Sequence, residues 1–339
     1  MPRRNLVLFL TATVLFASCS AKQSSTSPVD PSAPGSDRVT TLAGTLIDAA
    51  DRTPIGGATI TLGEVSTTSD ASGRFHIVGG GSKSDQAATI FAPGHYERQI
   101  SVMRTLATAD PLLDLLPTSA PFSVDFYRQF AHNALETTNL SPIRRWTIRP
   151  SFYIKTTVAE NGVAVPDEVV QTVKTILVNS VPELSDGQFT VATVETGTET
   201  RSSKNGWVNV LFQLNISAGV IGQASVGGNV GTMRLVYDPS NPVIFANDPS
   251  GCTAQVYYVA EHEVTHTMGF WHTYDERNNF HSIRGGSCLG APRTAQAKFH
   301  AAIEYSRTPG NTDVDVDPLV TTSTQSLTSA PATIACTIR

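Results

Sequence analysis

Residues 262–272 read His-Glu-Val-Thr-His-Thr-Met-Gly-Phe-Trp-His, placing three histidines, a glutamate and a glycine at fixed offsets. With 8 His and 25 Gly in 339 residues, and Glu about as rare, five such positions coincide by chance with odds of about 10⁻⁵, so the pattern is signal. Neutral imidazole is a common metal ligand. On a helix, four residues at about 100° each bring His266 back to within about 40° of His262, so both rings leave one face. Three imidazoles, from His262, His266 and His272, would leave the fourth position of a tetrahedral site open to water, as in catalytic zinc centres. One zinc per chain is expected. It would lower the pKa of that water towards about 7, and Glu263 would take the proton as the water attacks a carbonyl. The competing interpretation, a solvent-facing His/Glu helix without metal, does not account for so long a motif.

The ligands need a helix over 254–268 to carry them. Val256, Ala260, Val264, Thr267 and Met268 lie opposite His262 and should face a core. Glu263 lies about 100° round from His262, beside the metal position. A helix continued to 272 would carry His272 about 9 Å along the axis, away from its partners. Gly269, free to take positive φ, can end the helix and turn the chain back.

Upstream, Phe122–Leu135 and Asp167–Val181 read as helices, the latter with Val169, Val173, Ile176 and Leu177 on one face behind Pro166. Trp146–Thr157, Phe189–Val194 and Trp207–Ile216 read as strands. Ala224–Val226 and Met233–Tyr237 form a strand pair around Gly227-Gly228-Asn229. Phe299–Tyr305 is a last helix, and the Ser/Thr-rich residues 318–339 are expected to be loosely ordered. This order fits an α+β domain over 118–317. Residues 38–117 differ. Short apolar runs at Thr41–Ile47, Ala58–Leu62, Gly73–Val78 and Ala87–Phe91, separated by Gly, Pro, Asp and Ser, suggest an all-β sandwich.

The signatures Gly44…Asp48, Pro54-Ile55-Gly56-Gly57-Ala58-Thr59-Ile60, Thr67-Thr68-Ser69-Asp70, Gly73-Arg74-Phe75 and Pro93-Gly94-His95-Tyr96 resemble the carboxypeptidase regulatory-like domain. That likeness implies no catalysis, leaving Asp70, His76 and His95 as surface or turn residues. The pattern of residues 262–272 resembles the metzincins, zinc endopeptidases that include matrixins, astacins and serralysins. The resemblance implies a metzincin-like fold over 118–317, with His262, His266 and His272 on zinc and Glu263 as base. It also implies an extended protein or peptide as substrate, paired to Gly222–Val226 as an edge strand; an ordinary edge hairpin is the alternative there. Tyr274 or Tyr305 would stabilise the transition state, in the manner of the astacins. The family keeps a methionine turn beneath the zinc, whereas the methionines here are at 1, 103, 233 and 268, none after His272. Phe280 or Ile283 would supply the floor instead. A non-catalytic surface binding protein on a metalloprotease scaffold is therefore the rival function, and a sandwich that binds glycan or cell wall is a third.

Arg3 and Arg4, the apolar stretch Leu6–Ala17 and Cys19 make an export signal that resembles a bacterial lipobox. Twelve helical residues span only about 18 Å, short of a hydrocarbon core of about 30 Å. Residues 1–18 would be removed, Cys19 would carry the lipid anchor to the membrane, and residues 19–37 would form a flexible tether. A secretory signal with an incidental cysteine is the alternative. Ser20 after the cysteine implies outer-membrane or cell-surface delivery in the Gram-negative lipoprotein pattern. Of 24 basic residues, loss of Arg3 and Arg4 leaves 22 against 29 acids, so the mature charge is −7. That charge, with no basic run longer than Arg144-Arg145, argues against nucleic acid as a partner. Once exported, Cys252 and Cys288 could bridge around the zinc helix, with Cys288–Cys336 as the other pairing. Asp313, Asp315 and Asp317 alternate as acidic loops do around Ca2+, though without the glycine and glutamate of an EF-hand; a solvated acidic segment is the plainer interpretation.

Overall fold

The computed structural model describes residues 40–79, 84–218, 220–238, 255–274, 293–320 and 332–337. It is a mixed α/β structure with three sheets and five helices among the described residues. The described residues all fall in one compact unit. No helix among the described residues is long and apolar enough to cross a membrane.

Two small sheets come first. In one, β1 (Thr40–Asp48) lies between antiparallel β4 (Arg74–Gly79) and parallel β7 (Leu112–Leu115). The other runs β3 (Val65–Thr68), β2 (Thr59–Leu62), β5 (Ala87–Phe91) and β6 (Arg98–Ser101), all antiparallel. Strict alternation drives the arrangement. In β4, Phe75 and Ile77 point inward while Arg74, His76 and Val78 face solvent. Leu42, Leu46, Ile60, Leu62, Ile77, Ile90, Ile100 and Leu115 then share one core between the sheets. His76 is exposed, Asp70 closes a turn by accepting from the Ser72 and Arg74 backbone N–H groups, and His95 pairs with Asp48. Short α1 (Val102–Leu106) follows β6 and is capped by Ser101.

The third sheet runs β13-β11-β12-β10-β8-β9. Its members are β8 (Ser151–Val158), β9 (Thr193–Gly197), β10 (Trp207–Gln213), β11 (Val220–Val226), β12 (Gly231–Val236) and β13 (Ala332–Thr337). The strands β9, β8, β10 and β12 are mutually parallel, and β11 is antiparallel to both neighbours. Asn229, Gly227 and Gly228 all take positive φ in the β11–β12 turn, as that hairpin requires. Helix α2 (Val124–His132) starts on a Ser123 cap and ends where Asn133 turns left-handed. Helix α3 (Asp167–Leu184) follows Pro166, with Asp167 and Glu168 in its first turn, where the helix dipole favours acids. It packs on α4 (Gln255–Met268), which in turn packs on β11 and β12. Helix α5 (Ala295–Ser306) completes the layer on a Thr294 cap. Valines and leucines of α3 meet Phe152, Val210, Phe212, Met233 and Leu235 of the sheet in a second core.

Several expectations need correction. Strand β8 starts at Ser151, after Pro150, and β9 is displaced to Thr193–Gly197. Residues 332–337, expected to be loose, form a strand. Gly222–Val226 is not an edge, because β13 pairs along it from Val220 to Val226. Asp313, Asp315 and Asp317 do not converge on a cation site. Arg128 grips Asp313, Arg307 holds Asp315, and Asn311 donates to Asp317. The first core reaches Leu115 and the second starts at Phe130. Arg307 Nη1 donates to Asp114 Oδ1 at 2.6 Å and Arg98 Nη1 to the same oxygen at 2.8 Å, all buried. Beside them, Gln99 and Val316 form a backbone bridge. The expectations for Cys19, Cys252, Cys288, Phe280 and Ile283 fall outside the described residues.

Candidate metal centre

Helix α4 is buried well beyond one stripe, with Glu261 the partly exposed residue among those described. Ala260, Val264 and Met268 enter the core as the periodicity predicts, and Glu263, Thr265 and His266 are buried as well. The helix stops at Met268, where Gly269 takes φ +125°. Its N–H returns to the His266 carbonyl at 2.8 Å, and Phe270 N–H to Thr265 at 3.3 Å. Glycine is required here twice over: by the positive φ, and because a Cβ would stand 2.8 Å from Glu304 Oε1 and 3.2 Å from Arg145 Cα.

After the turn, α2 receives the chain. Trp271 N–H donates to the Phe130 carbonyl at 2.7 Å, Phe270 stacks on Phe130 with ring centroids 4.3 Å apart, and Tyr274 N–H donates to Gln129 Oε1 at 2.6 Å. From the opposite side, the Trp146 indole donates to the Thr267 carbonyl at 2.6 Å, fixing the end of α4. His272 is thereby returned to the helix.

The three Nε2 atoms form a triangle with sides of 2.9 Å (His262–His266), 3.1 Å (His262–His272) and 3.2 Å (His266–His272). Nitrogens about 2.05 Å from one tetrahedral ion stand about 3.3 Å apart, so the spacing suits a single small cation. Among the described residues, this is the cluster whose ligand atoms converge closely enough to hold a metal. The rings are oriented from behind. His266 Nδ1 donates to the Phe270 carbonyl at 2.7 Å, and His272 Nδ1 to Glu136 Oε1 at 3.1 Å. Both acceptors lack a proton to give, so each ring carries its hydrogen on Nδ1 and turns the lone pair of Nε2 inward. Burial, with the two neighbouring imidazoles, holds His266 well below the ordinary histidine range. It is therefore neutral, the form that binds metal.

Glu263 lies fully buried against β11. A Cβ at Gly222 would overlap Glu263 Oε1 and Val259 Cγ1, so the missing side chain of residue 222 is what makes room for the glutamate. The two tyrosines separate. Tyr305 is buried under the helix and donates to the Met268 carbonyl at 2.8 Å, which removes it as a stabiliser at the site. Tyr274, two residues after His272, is 63% exposed. Glu136 was invisible in the sequence. It stands 136 residues before the histidine it touches, in a turn with no motif, and only the packing of α2 brings it there. No family model and no curated protein matches the chain.

Proposed function

We propose that the chain is a zinc-dependent endopeptidase of metzincin type, carried to the bacterial surface as a lipoprotein anchored at Cys19. In this proposal residues 38–117 are a β-sandwich spacer or binding module and residues 118–317 the catalytic domain. The observation that supports it best is the Nε2 triangle, with sides of 2.9 to 3.2 Å, on a helix whose Glu263, next in sequence to His262, is buried. A structural site would use four protein ligands, whereas three imidazoles leave a position for substrate chemistry.

When bound, zinc supplies Lewis acidity towards a water and a peptide carbonyl. His262, His266 and His272 hold it in their neutral form. Glu263 takes the proton of the attacking water on a carboxylate oxygen and returns it to the amine that leaves as the C–N bond breaks. Its seat against Gly222, out of solvent, keeps bulk water from that proton. The rival, a non-catalytic binding protein on the same scaffold, draws on the absence of any methionine after His272.

Wild type and Glu263→Ala, each with its metal content measured, are compared against denatured protein substrates with chelator as control. Cleavage that falls at least 10²-fold in the variant, with metal retained, is expected from the loss of a general base, whose contribution is about 10²–10⁴-fold. Metal-loaded wild type that cleaves nothing would favour the scaffold. Equal residual cleavage in both would mean a contaminant.

A further inference from the structure

Strand β13 occupies the place where an extended peptide would be read. Strand β11 runs beneath the motif helix, and its Gly222 is packed on Glu263 and Val259. With β12 on one side, the other side of β11 is the sheet edge nearest the glutamate, and a backbone with free N–H and C=O groups there would accept an added strand. Residues 332–337 take it. They run antiparallel to β11, with Ala332 opposite Val226, Thr333 opposite Ser225, Ile334 opposite Ala224, Ala335 opposite Gln223 and Cys336 opposite Gly222. Cys336 therefore stands across from Gly222, which packs on Glu263, Thr337 pairs with Val220 beyond it, and the strand also touches α4.

The chain leading to it is fastened elsewhere. Asn311, Asp315 and Asp317 lock residues 311–317 against Gln99 and Arg307. Arg104 Nε then donates to the Pro318 carbonyl at 3.1 Å, and Val320 N–H to Asp85 Oδ2 at 2.7 Å. A strand tethered from Val320 by eleven residues faces β11 at an effective concentration on the order of millimolar. A free peptide at micromolar levels would lose that competition.

We propose that residues 332–337 are an intramolecular occupant of the peptide edge of β11, competing with substrate and holding the site closed until displaced. This rests on the endopeptidase proposal for what the edge is for, but not for whether the edge binds a strand. The occupant also indicates the class of peptide the edge takes. Ala-Thr-Ile-Ala-Cys-Thr is uncharged, and its residues are small or β-branched, as an extended strand favours.

The test uses the full chain and the variant Ile334→Pro/Ala335→Pro. Neighbouring residues of an antiparallel strand alternate in whether their N–H faces the partner, so this pair removes at least one ladder donor whichever way the strand sits. A labelled synthetic peptide of residues 332–337 with Cys336→Ser is titrated against both chains, followed by fluorescence anisotropy. The variant should bind it at least ten-fold more tightly than the parent. In cleavage assays the variant should show KM at least ten-fold lower with kcat unchanged, because an intramolecular competitor raises KM alone. Equal peptide affinity in the two chains, or binding to neither, overturns the proposal. Peptide binding confined to the variant, with no cleavage by either metal-loaded chain, leaves the occupant standing and sinks the endopeptidase instead. Should the proline variant lose its fold by circular dichroism, Gln223→Cys/Ala335→Cys decides. These residues face each other across the two strands. Oxidation should lock the edge and suppress cleavage and peptide binding below the parent's level, with reduction restoring both; no difference between the two redox forms counts against the occupant.

Discussion

Glu136 Oε1 accepts from His272 Nδ1 at 3.1 Å, so a carboxylate in the turn after α2 orients the histidine of the triad that stands outside the helix. His262 and His266 are placed by α4 itself, whereas His272 hangs on a chain held by Phe130, Gln129 and Glu136. The first prediction follows from that dependence. Glu136→Ala should weaken metal affinity about 10–100-fold, the range for partners behind a ligating histidine. Glu136→Gln, which keeps an acceptor without the charge, should fall between. Titration with zinc against a competing chelator measures both, and unchanged affinity in the alanine variant would show that His272 is positioned without it.

Gly269→Ala tests the turn. Alanine at φ +125° is strained, and its Cβ would press on Glu304 and the Arg145 backbone. A loss of about 1–3 kcal/mol in stability is expected from the backbone alone, together with loss of metal as His272 moves off. Thermal unfolding with and without zinc reads both. A variant that binds zinc like wild type would mean that the turn tolerates a side chain.

The helix and its converging histidines were legible in the sequence because their geometry is local: the offsets of 4 and 6 residues and the glycine between them encode the convergence directly. The strands that were missed are set by neighbours instead. Arg98–Ser101 shows almost no apolar alternation, and Arg98 is buried only because Asp114 arrives to meet it. Ala332–Thr337 follows a Ser/Thr-rich run and acquires its order from the open side of β11, which no periodicity of its own announces. Tyr305 shows the converse. Its type suited a catalytic role, but its place on α5 beneath Met268 decides that it packs.

Asp114 and Arg307 join the two cores. Burial pushes the Asp114 carboxyl up, but Arg307 and Arg98 outweigh it and hold it well below the usual carboxylate range. Its folded pKa is thus depressed, so its contribution is present above the unfolded value near 3.9 and is lost as pH falls through the folded one. Asp114→Asn should cost about 3 kcal/mol at neutral pH, the low end for breaking a buried pair, since Arg307 and Arg98 are then left with Asp315 as their buried carboxylate. The gap to wild type should narrow only below about pH 4. Denaturant unfolding across pH checks this, and a gap that is constant down to the most acid point would refute the ionic account.

Glu304 carries the opposite sign. It is fully buried in α5, neither carboxylate oxygen has a hydrogen-bond partner among the described residues, and one oxygen faces the space left by Gly269. Burial raises its pKa well above the carboxylate range, with Arg145 only partly offsetting this. The folded chain therefore keeps a proton that the unfolded chain releases near pH 4.3, and folding is opposed increasingly as pH rises above that value. The largest slope one such group can impose is about 1.4 kcal/mol per pH unit. Glu304→Gln removes the ionisation while keeping the shape. It should match wild type near pH 4.5 and become the more stable protein as pH rises towards 8. If instead Glu304→Gln is less stable at pH 8 than at pH 4.5 relative to wild type, the carboxylate is ionised in the folded chain and paired with Arg145. The support under Gly269 would then be an ion pair rather than a neutral acid.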